Sequence, residues 1–354
     1  METAEGVIKS QVEKTGPMDV GTFMGIALGH PTCGYYMTRD PLGARGDFTT
    51  SPEISQTFGE MIAVCIIEAW MRAGSPDAHL VEFGPGRGTL MVDILRAAKN
   101  AQNFYERVQV HMVETSPVLR MAQEKTLAAY KPTWHTSIDT LPKDGPLLIV
   151  ANEFFDALPI RQAVMTDRGW RERVVALENG ALSFSAGPRP PVAKMPLSGK
   201  TGDIFEYSPA RDDMMKAIAA RFQKQGGMMI AFDYGHVQAN AIGDTFQAVR
   251  KHGFCSPLEH VGDADLTSHV DFARLAQLST EAGCAVQGPI TQKQFLETMG
   301  IQKRISELVK FDPKNGHMAA GVARITDENG MGTLFKVIAI TSQVSFCSFR
   351  PVGF

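Results

Sequence analysis

The period of the hydrophobic positions changes along the chain, and the changes mark out helices and strands. Between residues 51 and 73, Ile54, Phe58, Met61, Ile62, Cys65, Ile66 and Trp70 recur at helical spacing. Ser51-Pro52 opens this stretch, because serine can cap and proline suits a first turn, and Gly74-Ser75-Pro76 ends it. One helix is therefore expected over 51–73. Residues 79–83 form a short apolar run that enters a cluster of glycines and the helical segment TLMVDILRAAK. Further strand-length apolar runs lie at 108–113, 147–151 and 228–232, with a helix expected over 117–130 and a last strand in MGTLFKVIAITS. Strand–helix alternation of this kind predicts an α/β fold, a doubly wound, mostly parallel sheet with helices on both faces.

Three segments break the rhythm. Residues 1–75 are helical and loop-rich and are expected to form an N-terminal cap. Residues 160–205 alternate in a β-like way around PRPPVAKMP and read as an exposed insertion. Residues 236–268, rich in Gly, Asp and His, are long for a loop, and such loops often act as lids or binding loops. The catalytic core is thus expected over 76–345, with insertions at about 160–205 and 236–300, and a tail at 346–354 of no assigned role.

Composition narrows the function. The chain has 354 residues, 44% hydrophobic and 21% charged, and its net charge of -3 gives no electrostatic case for nucleic acid or an anionic membrane. The five cysteines are odd in number and contain no CxxC, which fits a reducing compartment rather than a disulfide framework or structural zinc. No apolar run is long enough to span a bilayer. METAEGVIKS lacks an apolar core and carries Glu2 and Glu5, so no targeting peptide is expected and the cytoplasm is the default. The nine histidines show no HxxxH or HExxH spacing, and G-x-S-x-G is absent, so neither a metal centre nor a serine hydrolase is expected.

The chemistry concentrates at predicted strand ends. In LVEFGPGRGTLMVDIL, Gly84, Gly86 and Gly88 allow positive φ and close approach of backbone to a ligand, while the following helix N-terminus favours an anionic group. A dinucleotide fold expects G-x-G-x-x-G; here the third glycine comes one residue early. That spacing resembles the loop of S-adenosylmethionine (SAM)-dependent methyltransferases, with Glu82 as the strand-one acid suited to the cofactor's ammonium. A tight turn without ligand is the alternative. Glu114, ending the second strand, can accept two hydrogen bonds from a ribose diol, or can belong to the cap of the next helix. Thr136-Ser137-Ile138-Asp139 lies where an adenine is often contacted, with Ile138 as the candidate.

The third strand runs into Asn152, Glu153, Phe154, Phe155 and Asp156. Carboxylates fixed beside an acceptor nitrogen would stabilise the charge that develops as a methyl arrives. Glu153 and Asp156 suit a guanidinium, whose fork matches carboxylates, and the two rings can wall the site. Alternatively both rings are core and the acids cap a helix.

Together, VEFGPGRGTLMVDIL, HMVETSPVLR, NEFFDALPIRQ, FDYGH, LTSHVDF and GDFTTSPEISQTFGE resemble the MidA-type methyltransferase family over nearly the whole chain. That family includes a mitochondrial complex I assembly arginine methyltransferase. The resemblance implies a class I methyltransferase fold, SAM as donor, and a protein acceptor, a respiratory complex I subunit or its bacterial equivalent. Without a targeting peptide the chain is expected to be a bacterial member. The family also places GDFTTSPEIS near the active site. There Thr50, Ser51 and Glu53 could close over the cofactor, or simply begin a capped surface helix. Asp233 and His269 are further candidates for the substrate side. A non-catalytic SAM-binding assembly factor and an NAD-type oxidoreductase are the competing readings. No metal, nucleic-acid partner or membrane insertion is expected, and homo-oligomerisation stays open.

Overall fold

A computed structural model describes residues 2–40, 49–312, 314, 316–344, 346 and 350–354. The described residues fall into two compact units. One comprises Thr49–Phe155, Met215–Val237 and Val270–Phe354; the other comprises Asp156–Met214, Gln238–His269 and the described part of Met1–Phe48.

The first unit is built on a sheet of β1 (Ala78–Phe83), β2 (Val108–Val113), β3 (Thr133–His135), β4 (Leu147–Asn152), β5 (Gly227–His236), β6 (Ala285–Thr291) and β7 (Phe335–Thr341). The strand order is β3-β2-β1-β4-β5-β7-β6, with the short strand Val270–Asp271 beside the end of β5. The first five strands in that order run parallel, and β7 is antiparallel to both β5 and β6. This is the doubly wound sheet expected. Every residue of β1 and β4 is buried, so AHLVEF and LLIVAN read as continuous apolar runs, as strands covered on both faces do. Strand order reverses between β1 and β4, and in open α/β sheets the crevice outside the carboxyl ends at that point receives ligands.

Three helices shape that crevice: α1 (Gln56–Arg72), α2 (Thr89–Ala98) and α3 (Pro117–Thr126). In α1, Phe58, Ile62, Cys65, Ile66 and Trp70 share one core with Leu80, Leu148, Val150 and Ile230. The helix thus belongs to the sheet-bearing unit, and the expected boundary at residue 75 is not where the molecule divides. The single helix expected over 51–73 is also interrupted. Ser51–Ile54 forms one turn, Ser55 is extended with φ -152°, and its Oγ lies 2.7 Å from Thr57 Oγ1. A serine side chain bonding locally competes with the helix ladder. Likewise α3 stops at Thr126, short of residue 130. The tail is partly internal: Phe346 is buried, and the Phe354 ring lies 5.6 Å from that of Phe295.

The second unit is antiparallel. Arg161–Thr166, Gly169–Glu178, Ala181–Ala186 and Ile204–Tyr207 form a sheet completed by Met18–Asp19, as the β-like alternation of 160–205 predicts. The expectation of a long loop at 236–268 is corrected. Gln247–Arg250, Gly253–Cys255 and Asp265–Thr267 pair into a small sheet, with Lys251 and His252 both left-handed in its tight hairpin. Strands of three or four residues are too short to carry an alternating pattern. Phe23, Met24, Tyr35, Val175, Phe246 and Leu266 belong to this unit's own core.

Candidate active site

The glycine turn follows β1 as expected. Gly84, Gly86 and Gly88 have φ of 60°, 55° and 82°, the left-handed region that favours glycine. A Cβ on Gly84 would come within 3.1 Å of the Phe154 ring, and one on Gly88 within 3.1 Å of Leu127. Gly88 caps α2 without any side-chain hydrogen bond, so the first backbone N–H groups of that ten-residue helix face the turn unclaimed by a capping side chain.

Glu82 is buried one position before the end of β1. Burial raises its carboxyl well above the ordinary range, opposed by a hydrogen bond from the Met91 backbone, with Asp93 and Glu114 adding to the rise. Its Oε2 has no hydrogen-bond partner among the described residues, nor have Asn152 Oδ1 and Ser51 Oγ. Buried acceptors without partners are costly, and a cationic ligand with several N–H donors would satisfy them.

Glu114, after β2, is half-buried, and burial raises its pKa too. Its Oε1 accepts the Ser116 N–H at 2.7 Å and its Oε2 the Gln123 amide at 3.0 Å. The same amide nitrogen donates to Gly86 O at 2.7 Å, so Gln123, which the sequence reading passed over, ties the glycine turn to the acid. Ile138 is buried in a short 3-10 turn, and its carbonyl accepts from Arg221 at 2.8 Å, which anchors the adenine-side segment.

At the tip of β4, Glu153 has φ 51°, a left-handed backbone that costs a non-glycine residue about 1–3 kcal/mol. Its N–H is held by Phe232 O at 2.9 Å, and the Asn152 amide donates to its Oε1 at 3.1 Å. Phe154 stacks on Phe83 with ring centroids 5.4 Å apart. Phe155 is 1% exposed, so of the two rings expected to wall a substrate only Phe154 remains available; Phe155 is core. Asp233 is fully buried and spends its carboxylate on the backbone N–H groups of Phe155 and Tyr234, both at 3.0 Å. It braces this segment rather than facing a substrate.

Of the N-terminal motif, Gly46, Asp47 and Phe48 lie outside the described residues. Thr50 is half-buried and precedes the turn of Ser51 and Glu53. Glu53 accepts from Thr89 Oγ1 at 2.5 Å and lies 3.9 Å from the Arg87 guanidinium, so it sits against the glycine turn. Asp156 and His269 belong to the second unit. There the buried Arg211 donates to the carbonyls of Asp156 at 3.2 Å and His269 at 2.7 Å. Tyr36 donates to Asp265 at 2.8 Å; burial, then the Asp265 and Asp156 charges, hold its hydroxyl protonated.

This arrangement of strand order, glycine turn and two strand-end acids agrees with sequence relationships. Residues 61–290 match the family described as "Putative S-adenosyl-L-methionine-dependent methyltransferase". The chain belongs to that family. The methyltransferase is 35% identical to the mitochondrial protein arginine methyltransferase NDUFAF7 of Homo sapiens, over 93% of this chain and 81% of that protein. It is 37% identical to the Danio rerio protein of the same name, over 85% and 78%. A crystal structure from Burkholderia thailandensis with bound S-adenosyl-homocysteine shares the fold at TM-score 0.84 and 24% identity, covering 99% of this chain and 93% of that one. SAM fits the residues present: its ammonium suits Glu82, its carboxylate the α2 N-terminus and its ribose Glu114. Among the described residues no cluster could hold a metal, and no helix is long and apolar enough to cross a membrane.

Proposed function

We propose that this methyltransferase acts on a guanidinium nitrogen of an arginine in a protein. The observation that carries the reading is Glu153, held at the end of β4 in an unfavourable backbone conformation with its carboxylate oriented by Asn152. Strain of this kind persists where the surroundings enforce it and is concentrated at functional sites. Bound SAM supplies a methyl on a sulfonium, and transfer breaks the carbon–sulfur bond with the electron pair staying on sulfur.

The chain's own residues supply position and charge. Glu82, the glycine turn and Glu114 bind the donor. The Glu153 carboxylate orients the acceptor guanidinium, stabilises the positive charge gathering on it, and accepts the proton it loses. Asp156 is the second acid of this reading. The relatives' names support arginine as acceptor, and the MidA-type resemblance adds a respiratory complex I subunit or its bacterial equivalent as the protein substrate. A cytoplasmic setting accords with the free thiols of Cys33, Cys65, Cys255 and Cys284.

The test is transfer of labelled methyl from SAM to purified candidate subunits, with the labelled residue located by mass spectrometry. Label on arginine is expected, together with calorimetric binding of SAM and none of NAD. Label on another residue type overturns the acceptor assignment. Tight SAM binding with no acceptor ever labelled would leave a binding-only assembly factor.

A further inference from the structure

We propose that Gln123 is a positioning residue for the cofactor: its amide locks the glycine turn and the ribose acid into one rigid unit. The proposal rests on reading Glu114 as the acid that holds the ribose diol. Gln123 lies in α3 and is fully buried. Its Nε2 donates to Gly86 O at 2.7 Å and to Glu114 Oε2 at 3.0 Å, while its Oε1 accepts the Trp134 indole N–H at 2.9 Å. A carbonyl and a carboxylate need the NH2 end and an indole N–H needs the oxygen, so the network permits only one orientation of the amide.

Two consequences follow for the ligand. Each oxygen of Glu114 already accepts one protein hydrogen bond, Oε1 from the Ser116 backbone and Oε2 from Gln123. One further acceptor direction per oxygen matches the two hydroxyls of a diol. The bond to Gly86 O fixes the peptide plane of the turn, and with it the direction of the N–H groups offered to the amino acid end. The Gln123 Cγ also lies 3.6 Å from where a Gly88 Cβ would stand, so the helix supports the turn from beneath.

The experiment uses the full chain and S-adenosylhomocysteine (SAH) binding by calorimetry. Gln123→Met keeps length and apolar volume but removes both donors. It should raise the SAH Kd by ~10-fold and the KM for SAM in proportion, leaving kcat at saturating SAM within about 2-fold. In a Glu114→Ala background the same substitution should add less than ~2-fold, because its effect runs through the acid. Trp134→Phe removes only the donor that orients the amide. It should weaken SAH by about 3-fold, which keeps the proposal testable if Gln123→Met does not fold.

Wild-type affinity in Gln123→Met, or in Trp134→Phe where that is the variant that folds, overturns the proposal. So does an effect that multiplies fully with Glu114→Ala. If Glu114→Ala itself binds SAH normally, the reading of the ribose acid fails first, a result separable from failure of Gln123 alone.

Discussion

His111 Nε2 lies 3.0 Å from His79 Nδ1 across neighbouring parallel strands. The line continues on both sides: His79 Nε2 reaches the Asp144 carbonyl at 2.8 Å, and His111 Nδ1 reaches His135 Nε2 at 3.0 Å. Three neutral imidazoles satisfy this chain if every N–H points toward the Asp144 carbonyl. Protonating the central ring would place two N–H donors against each other. Burial first, then the neighbouring histidines, lower the His111 pKa to about 4. A histidine kept neutral in the folded state stabilises it fully above its unfolded pKa of about 6.5, and that contribution is lost as pH falls from there toward 4. Thermal unfolding should move to lower temperature across that window. His111→Gln, which keeps a donor and an acceptor but does not titrate, should flatten the dependence; an unchanged slope would exclude the histidine line as its source.

Glu153 separates stability from activity. Glu153→Gly relieves the left-handed strain while adding unfolded-state entropy, so net stability should change by no more than about 1 kcal/mol, in the stabilising direction. Turnover should fall by at least ~10-fold in both Glu153→Gly and Glu153→Gln, about 1.4 kcal/mol at the transition state, with SAM affinity nearly intact. Denaturant melts and steady-state kinetics measure the two quantities, and normal turnover in Glu153→Gln would remove this carboxylate from the reaction.

Gly86→Val places a β-branched side chain at φ 55° on the ligand side of the turn. SAH affinity should drop by ~10- to 100-fold through backbone strain alone, with the circular dichroism spectrum retained. Tight SAH binding by this variant would mean that the cofactor does not approach the turn.

Glu82 predicts a proton. Burial raises its pKa in the free protein, and an ammonium placed beside it would bring the pKa down. SAM binding should then release a proton, strengthen as pH rises toward the raised pKa, and give a heat that depends on the buffer's ionisation enthalpy. Glu82→Gln should abolish the proton release and weaken binding. A buffer-independent heat in the wild type would show that the ammonium sits elsewhere.

The parts of this molecule that are legible in its sequence are those written locally. Glu82 and the three glycines follow an apolar run and precede an amphipathic helix, so a short window displays strand, turn and ligand-binding end together. Gln123 is different. It stands nine residues from Glu114 and 37 from Gly86, on a helix where a lone glutamine reads as surface. Only the strand register reveals that it faces inward. His79, His111 and His135 are likewise separated by whole helices and align only when β1, β2 and β3 pair. Asp233 and Phe155 were assigned to the crevice because they end strands, and packing instead spends one on backbone N–H groups and buries the other.

The two compact units are interwoven along the chain, which passes from one to the other five times. No single cut therefore yields either unit as a continuous piece, and a truncation from either end removes part of both. Engineering that exchanges acceptor preference between relatives must graft internal cassettes, 156–214 and 238–269, into a host whose nucleotide-holding framework is left in place.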